Sequence, residues 1–386
     1  MGESVTLAGM YRELEAAESV LLLTHLRPDG DALGSTFGLR AFLRSRGKKA
    51  DVLLTDGMPH RYVNFHRDPL TKISREQANG YELVAVLDCA NVARLNVPEA
   101  LGIDYLRSRR TVNIDHHVYN NLDAPKNFVC PERSSASEIA AAMLLDSGAE
   151  VIPECATSLL AGMMTDTGCF RFSNTTGETL RIAGALLDRG AVLERIANEV
   201  FFNKPYNCAA FEADLFNTRL KLACGGRFAY AYIDDELLRK HSFNLAEDEG
   251  IIDNLRALEG VVIALIIFRN TSGEFKLSLR SKDSAFPVGP LARKHGGGGH
   301  IQIAHRHTFA IRHQRQRFCR FFHGIKRALL PVKTMQIEFR QTVIRANTRQ
   351  TDNLLGIVCC QIAFLTIQQV YPRRFPLFQM QSQILF

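Results

Sequence analysis

The chain has 386 residues, 46% hydrophobic and 23% charged, which is long for one core and reads as a soluble, globular pair of domains. No apolar run approaches the roughly 18 residues of a membrane span. The N-terminus lacks a signal-peptide pattern, and nine cysteines without a C-x-x-C pair argue against a disulfide framework or zinc finger and for a reducing cytoplasm.

The net charge of +7 averages two unlike parts. Residues 301–386 carry 13 Lys and Arg against only Glu338 and Asp352, net +11, so the first 300 residues stand at −4.

In chain order, Leu7, Met10, Leu14 and Ala17 fall at helical spacing, so residues 1–18 are expected as an amphipathic helix. An apolar strand over 19–23 runs into Thr24-His25-Leu26-Arg27-Pro28-Asp29-Gly30-Asp31, ahead of a helix over 33–46. Pro28, Gly30 and Gly34 read as turn residues. Strands are expected at 50–55, 82–87, 111–114 and 127–130. The strand at 82–87 is almost wholly apolar, as a buried parallel strand should be, and ends in Asp88. The strand at 111–114 ends in Asp115-His116-His117. Helices are expected near 98–108, over 134–145 with Ser134 or Ser135 as cap, and over 154–164, leading into Thr165-Asp166-Thr167-Gly168. Helical stretches at 176–188 and 191–201 close a first domain over 1–200. Strands alternating with helices predict an α/β fold with a mostly parallel, helix-covered sheet.

A helix over 206–223, broken at Gly225-Gly226, is expected to link the domains across 201–225. A smaller α/β domain follows over 226–300, with strands at 228–233, 261–268 and 274–281 and helices near 234–241 and 246–258. A helix near 288–294 leads into Gly296-Gly297-Gly298-Gly299-His300.

The strand and helix ends thus supply His25, Asp29, Asp31, Asp88, Asp115, His116, His117 and Asp166. In open α/β sheets, ligand sites gather at the carboxyl ends of strands. Taken singly, each residue has a plainer reading: an Asx-turn at Asp29, a cap at Asp88, a backbone-satisfied buried histidine. Together, the carboxylates would repel and raise one another's pKa values unless cations intervened. A pair of divalent cations solves that problem. Carboxylate with imidazole suits Mn²⁺, with Mg²⁺, Zn²⁺ or Co²⁺ as alternatives, and the absence of thiolates argues against structural zinc. Paired cations of this kind activate water for phosphoryl transfer.

His25-x-x-x-Asp29-x-Asp31, Asp88, Asp115-His116-His117 and Asp166-Thr167-Gly168 together resemble the DHH phosphoesterases. Gly297-Gly298-Gly299-His300 resembles the glycine-rich signature of the DHH-associated C-terminal domain. Order and spacing over residues 1–300 look most like the bacterial nanoRNase branch, whose members degrade short RNA and remove the 3′-phosphate of pAp (3′-phosphoadenosine 5′-phosphate). The resemblance implies that His25, Asp29 and Asp88 hold one Mn²⁺. It implies that Asp31, Asp88, His116 and Asp166 hold the other, with Asp88 bridging. Asp115 would orient a histidine, and His117 would contact the scissile phosphate or protonate the leaving oxygen. Arg280 and Gly297, Gly298, Gly299 and His300 would bind the substrate's end. Short RNA and small nucleotides are the implied partners, no membrane is involved, and a homodimer is left open. Backbone of a glycine run can approach phosphate closely, and Arg can grip it bidentately, which suits these roles independently.

After His300 the family's small residues are missing. Residues 301–386 hold 12 Gln and 11 Arg but two Gly. A reading frame shifted just after His300 accounts for this better than a dedicated nucleic-acid-binding tail, the other reading of the basic charge. Competing activities are a cyclic- or linear-dinucleotide phosphodiesterase, a single-strand DNA exonuclease and a family II inorganic pyrophosphatase. From another class, the chain could be a non-catalytic nucleic-acid-binding protein, or an inactive copy.

Overall fold

The computed structural model describes residues 3–310 except 99–100, 123, 224, 246–249, 270–273, 284, 287, 290–291, 293–297 and 300–302. The chain divides into two compact units, Met1–Lys204 and Pro205–Phe386.

The first unit runs β1 (Glu3–Ser4), α1 (Leu7–Ala16), β2 (Ser19–Leu23), α2 (Gly30–Ser45), β3 (Lys49–Val52), α3 (Arg75–Asn79), β4 (Leu83–Leu87), α4 (Ile103–Ser108), β5 (Thr111–Asp115) and β6 (Lys126–Val129). Helices α5 (Ala136–Asp146), α6 (Pro153–Asp166), α7 (Gly177–Asp188) and α8 (Leu193–Ile196) follow. The strands form one sheet in the order β1-β6-β5-β4-β2-β3, all pairs parallel. Successive side chains of a strand face opposite ways. Val20, Leu22, Leu83, Ala85 and Leu87 accordingly pack in one core with residues of α2, α5 and α6, while Leu21, Leu23, Val84 and Val86 pack in another with Tyr81, Tyr105 and Leu106. A strand buried on both faces cannot alternate polar with apolar residues, which is why β4 reads as a continuous apolar run.

Helix α2 starts three residues earlier than its apolar pattern suggests. The Asp29 side chain accepts from Asp31 N and Ala32 N, both at 3.1 Å, and so caps the helix. Gly30 and Gly34, expected as turn residues, are therefore helical. With Gly38 they form a stripe at i, i+4, i+8 against α6. A Cβ on Gly34 would lie 2.7 Å from the backbone of Gly162 and from Ser158 O. One on Gly30 would lie 2.4 Å from the Thr165 side chain. The bare glycine faces let α2 and α6 meet backbone to backbone.

The second unit comprises α9 (Tyr206–Thr218), β7 (Lys221–Ala223), β8 (Phe228–Ile233), α10 (Asp235–Lys240), α11 (Ile251–Ala257), β9 (Ile263–Arg269), β10 (Glu274–Ser281), β11 (Gly298–Gly299) and β12 (Ile303–Ala310). Its mixed sheet has the order β11-β12-β10-β9-β8-β7. The expected linker helix stops at Thr218, because Gly225 (φ +63°) and Gly226 (φ +85°) turn the chain so that β7 pairs back onto β8. Phe211 and Leu215 of α9 are buried with Ala229, Ala231 and Ile233 of β8, so this helix belongs to the second core. Strand β12 lies antiparallel along β10 from Glu274 to Arg280, so sheet pairing continues past the point where composition changes. Gly297, His300 and the basic tail beyond residue 310 lie outside the described residues, as does part of the expected helix near 288–294.

Two stability measurements follow. Gly34→Ala overpacks the α2–α6 contact and should lower unfolding free energy by about 1–3 kcal/mol in urea titration. Gly184→Ala on α7, where a Cβ meets nothing within 4 Å, should instead raise it by roughly 0.5–1 kcal/mol. His66 is 5% exposed, stacked on Phe37 at 4.5 Å. Burial, with Arg40 and Arg195 nearby, lowers its pKa from 6.5 to about 3. The unfolded chain then takes a proton that the folded chain refuses, so stability is complete above about pH 6.5 and drains as pH falls toward 3. His66→Leu should abolish this part of the acid loss, roughly 2 kcal/mol at pH 5, in pH-dependent thermal melts.

Candidate metal centre

Three strand ends at the parallel sheet's carboxyl edge and two helix ends build the site. His25 follows β2, Asp88 follows β4, and Asp115 ends β5 with His116 and His117 immediately after. Asp29 and Asp31 open α2, and Asp166 closes α6. Asp88 has φ +52°, a left-handed conformation uncommon for a non-glycine residue. Its backbone N–H still donates to Ile114 O at 3.0 Å, so the sheet ladder holds it in this geometry.

Asp88 lies at the middle. Its Oδ2 is 3.7 Å from His25 Nε2, and its Oδ1 is 3.5 Å from His116 Nε2 and 3.6 Å from His117 Nδ1. His25 Nε2 is also 3.8 Å from Asp29 Oδ2. His116 Nε2 is 4.0 Å from Asp31 Oδ2 and 3.8 Å from Asp166 Oδ2. These separations sit at or beyond the limit of a hydrogen bond. They are what pairs of atoms about 2.0–2.2 Å from a shared ion would span. Asp88 Oδ1 is buried and has no hydrogen-bond partner among the described residues, a costly state for a carboxylate oxygen unless a cation answers it. Two groups meet metal-ligand geometry among the described residues: His25, Asp29 and Asp88; and Asp88, His116 and His117. The donor set of oxygen and imidazole nitrogen fits a divalent cation. All six expected ligands lie within 4.0 Å of a partner, but the second group contains His117, which is not among the expected ligands, in place of Asp31 and Asp166.

The charges carry the strain expected of such a cluster. Burial, then the charges of Asp88 and Asp166, push Asp31 well above the carboxylate range. Burial lifts Asp166 to about 7, with His116 opposing and Asp29 and Asp88 adding to the rise. Burial would raise Asp88 too, but the imidazoles of His116 and His25 hold it far below its ordinary value. Burial opposes protonation of His25, yet Asp29 and Asp88 raise it to about 10.

Residues 19–163 match the model described as "DHH family, N-terminal domain". That span includes every expected ligand except Asp166. A protein of Thermus thermophilus described as a bifunctional oligoribonuclease and PAP phosphatase NrnA is 30% identical over 298 residues, covering 75% of this chain and 85% of the relative. The chain belongs to the DHH family. A Streptococcus mutans protein described as a probable bifunctional oligoribonuclease and PAP phosphatase NrnA is 28% identical, covering 78% of this chain and 92% of its own. Among solved structures, an exopolyphosphatase-related protein from Bacteroides fragilis superposes with a TM-score of 0.70 at 23% identity, over 82% of this chain and 94% of that one, which shows the DHH fold.

Around the expected ligands, the structure adds partners that sequence patterns do not reveal. Asp31 accepts from Ala136 N at 2.7 Å and Ser137 N at 2.8 Å, the first turn of α5. A helix N-terminus favours a negative charge there. Asp115 is fully buried; its Oδ1 accepts from His117 Nδ1 at 2.7 Å and its Oδ2 from Asn120 Nδ2 at 2.5 Å. Asn120 in turn accepts from Leu122 N at 2.9 Å, which fixes the loop. Asn120 lies five residues past Asp115, where only the fold of the loop reveals the contact.

In the second unit, Arg280 is on β10 with Nε 3.9 Å from Asp253 Oδ1. Gly298 and Gly299 form β11, paired with His305 and Ala304 of β12. Gly297 and His300 lie outside the described residues. Phe170 packs against the first unit's core.

Asp88 belongs to both ligand groups. Partners one step removed from a metal typically cost 10–100-fold in affinity, so Asp88→Asn should weaken Mn²⁺ binding by more than about 100-fold. Calorimetric titration of the full chain, with circular dichroism to confirm folding, checks this.

Proposed function

We propose that this protein is a metal-dependent phosphoesterase that removes the 3′-phosphate of pAp and degrades RNA of a few nucleotides to mononucleotides. The observation that carries the reading is the position of Asp88, one carboxylate facing His25 on one oxygen and His116 on the other. Homology to proteins described as bifunctional oligoribonuclease and PAP phosphatase NrnA supports the substrate class.

His25, Asp29 and Asp88 would hold one cation, and Asp31, Asp88, His116 and Asp166 the other, with Mn²⁺ the expected ion and Mg²⁺ or Co²⁺ the alternatives. Such a pair supplies charge neutralisation and a nucleophile at neutral pH. The remaining work belongs to the chain. Asp115 holds a proton on His117 Nδ1, and against the opposing effect of burial Asp115 and Asp88 raise the pKa of the ring, so the imidazolium also carries a proton on Nε2, which would hydrogen-bond the phosphate and pass to the departing oxygen, leaving a neutral imidazole. Asn120 holds the second oxygen of Asp115, so the imidazole cannot swing. Arg280 and the residues Gly297 to His300 keep their expected part as a phosphate-binding element of the second unit.

A Mn²⁺-dependent assay on pAp, short RNA, linear dinucleotides, long RNA and single-stranded DNA tests the reading. The wild type should release phosphate from pAp and mononucleotides from short RNA, with little action on long strands. His117→Ala should lower kcat by about 10²–10⁴-fold, the usual worth of a general acid. Equal activity of wild type, His117→Ala and Asp88→Ala rejects the site; preference for long single-stranded DNA or for dinucleotides alone rejects the substrate class.

A further inference from the structure

Arg94 ends the short 3₁₀ turn Val92–Arg94. Its side chain is exposed, yet Nη2 lies 3.4 Å from His25 Nδ1. That contact does not hold the guanidinium in place. His25 Nδ1 lies 2.9 Å from Leu26 O, so it carries the proton and donates to that carbonyl, and a guanidinium offers donors only. Two donors face one another.

Backbone pairing is what keeps the turn there. Leu26 N donates to Arg94 O at 2.5 Å, and Asn96 N donates to Thr24 O at 2.7 Å. Leu95 bridges antiparallel to His25. The Asn91 side chain caps the turn by accepting from Ala93 N at 2.7 Å. The turn is thus clamped along both sides of His25.

Several other arginines of this unit have carboxylate partners, Arg110 with Glu13, Arg44 with Asp51 and Arg133 with Glu138, and Arg40 and Arg109 donate to backbone carbonyls. Among the described residues Arg94 has no carboxylate partner. An exposed cation, held by backbone against a ligand histidine and lacking an anion of its own, is suited to receive one from solution.

We propose that Arg94 binds a phosphate oxygen of the substrate on the His25 side of the metal centre. This rests on the phosphoester reading above and adds to it a residue outside the ligand set. The planar guanidinium can direct two N–H groups at two oxygens of one phosphate, which an ammonium cannot. The charges agree. Two divalent cations balance Asp29, Asp31, Asp88 and Asp166. The phosphate's own charge must then be met by surrounding groups, and Arg94 is the cation beside His25.

The test uses the full chain loaded with Mn²⁺ and compares wild type, Arg94→Gln, Arg94→Lys and Arg46→Gln. Arg46 follows the far end of α2, sixteen residues beyond its N-terminus, and serves as the charge control. Binding of inorganic phosphate is read by equilibrium dialysis, Mn²⁺ binding by calorimetry, and KM and kcat on pAp. Arg94→Gln should weaken phosphate binding and raise KM by at least about tenfold, the worth of one charged hydrogen bond. Mn²⁺ affinity and the circular dichroism spectrum should be unchanged. Arg94→Lys should restore part of the affinity, and Arg46→Gln should match wild type. Unchanged phosphate binding in Arg94→Gln overturns the proposal, and so does a parallel loss of Mn²⁺, which would mean that Arg94 acts by supporting His25. Failure of wild type to hydrolyse pAp or short RNA defeats the functional reading instead, and the phosphate-binding comparison still decides the role of Arg94.

Discussion

A buried carboxylate needs hydrogen-bond donors or positive charge in place of the water it has lost, and Asp88 is buried. It is 2% exposed, follows β4, one of the two central strands of the parallel sheet, and keeps one oxygen without a hydrogen bond among the described residues. His25 and His116 approach its two oxygens from either side, at distances that leave room for an ion rather than a proton. The rest of the first unit can be understood as the means of bringing further acids to this point. Without cations the assembly is self-opposing, which is why Asp31 and Asp166 are pushed up while Asp88 is held down. A cluster of that kind costs folding stability, and its retention makes sense where bound cations return it.

The approach of α2 to α6 is the mechanical counterpart. Asp31 lies in the first turn of α2, and Asp166 is the last residue of α6. Both reach His116 because Gly30, Gly34 and Gly38 leave no side chain between the helices. Gly162 has a second duty: a Cβ there would lie 2.0 Å from Ser137 Oγ and 3.1 Å from Asp31 Oδ1. Helix packing and the positions of Asp31 and Asp166 therefore depend on the same missing atoms. Outside this layer, α5 presents Ala136 N and Ser137 N to Asp31, while Asn120 fixes Asp115 and through it His117. The directions of Asp31 and His117 are thus set by neighbouring groups: the α5 amides and Asp115.

The second unit shows how far local pattern carries. Strand β8 and strand β10 lie where their apolar residues place them. The helix expected to run through Ala223 ended early, because two glycines with positive φ returned the chain as a hairpin strand. Helical period in a short stretch cannot exclude a strand when a tight turn offers the backbone a sheet partner. The same limit applies at Ile303–Ala310, where a change of composition suggested a break and the backbone nonetheless pairs along β10.

By itself the amino-acid order determined the alternation of strand and helix, the apolar run of β4, and the set of acids and histidines at the element ends. These are local properties: periodicity, capping and residue chemistry are written within a few positions of one another. The family was legible for the same reason, since its signature is a series of short segments. Only the tertiary structure decided that Gly30 and Gly34 serve helix contact rather than a turn, that α5 amides hold Asp31, that Asn120 holds Asp115, and that Arg94 stands beside His25. Those facts depend on distances between segments as far apart as Gly30 and Thr165, 135 residues along the chain, and such distances are set by packing, which no local pattern encodes.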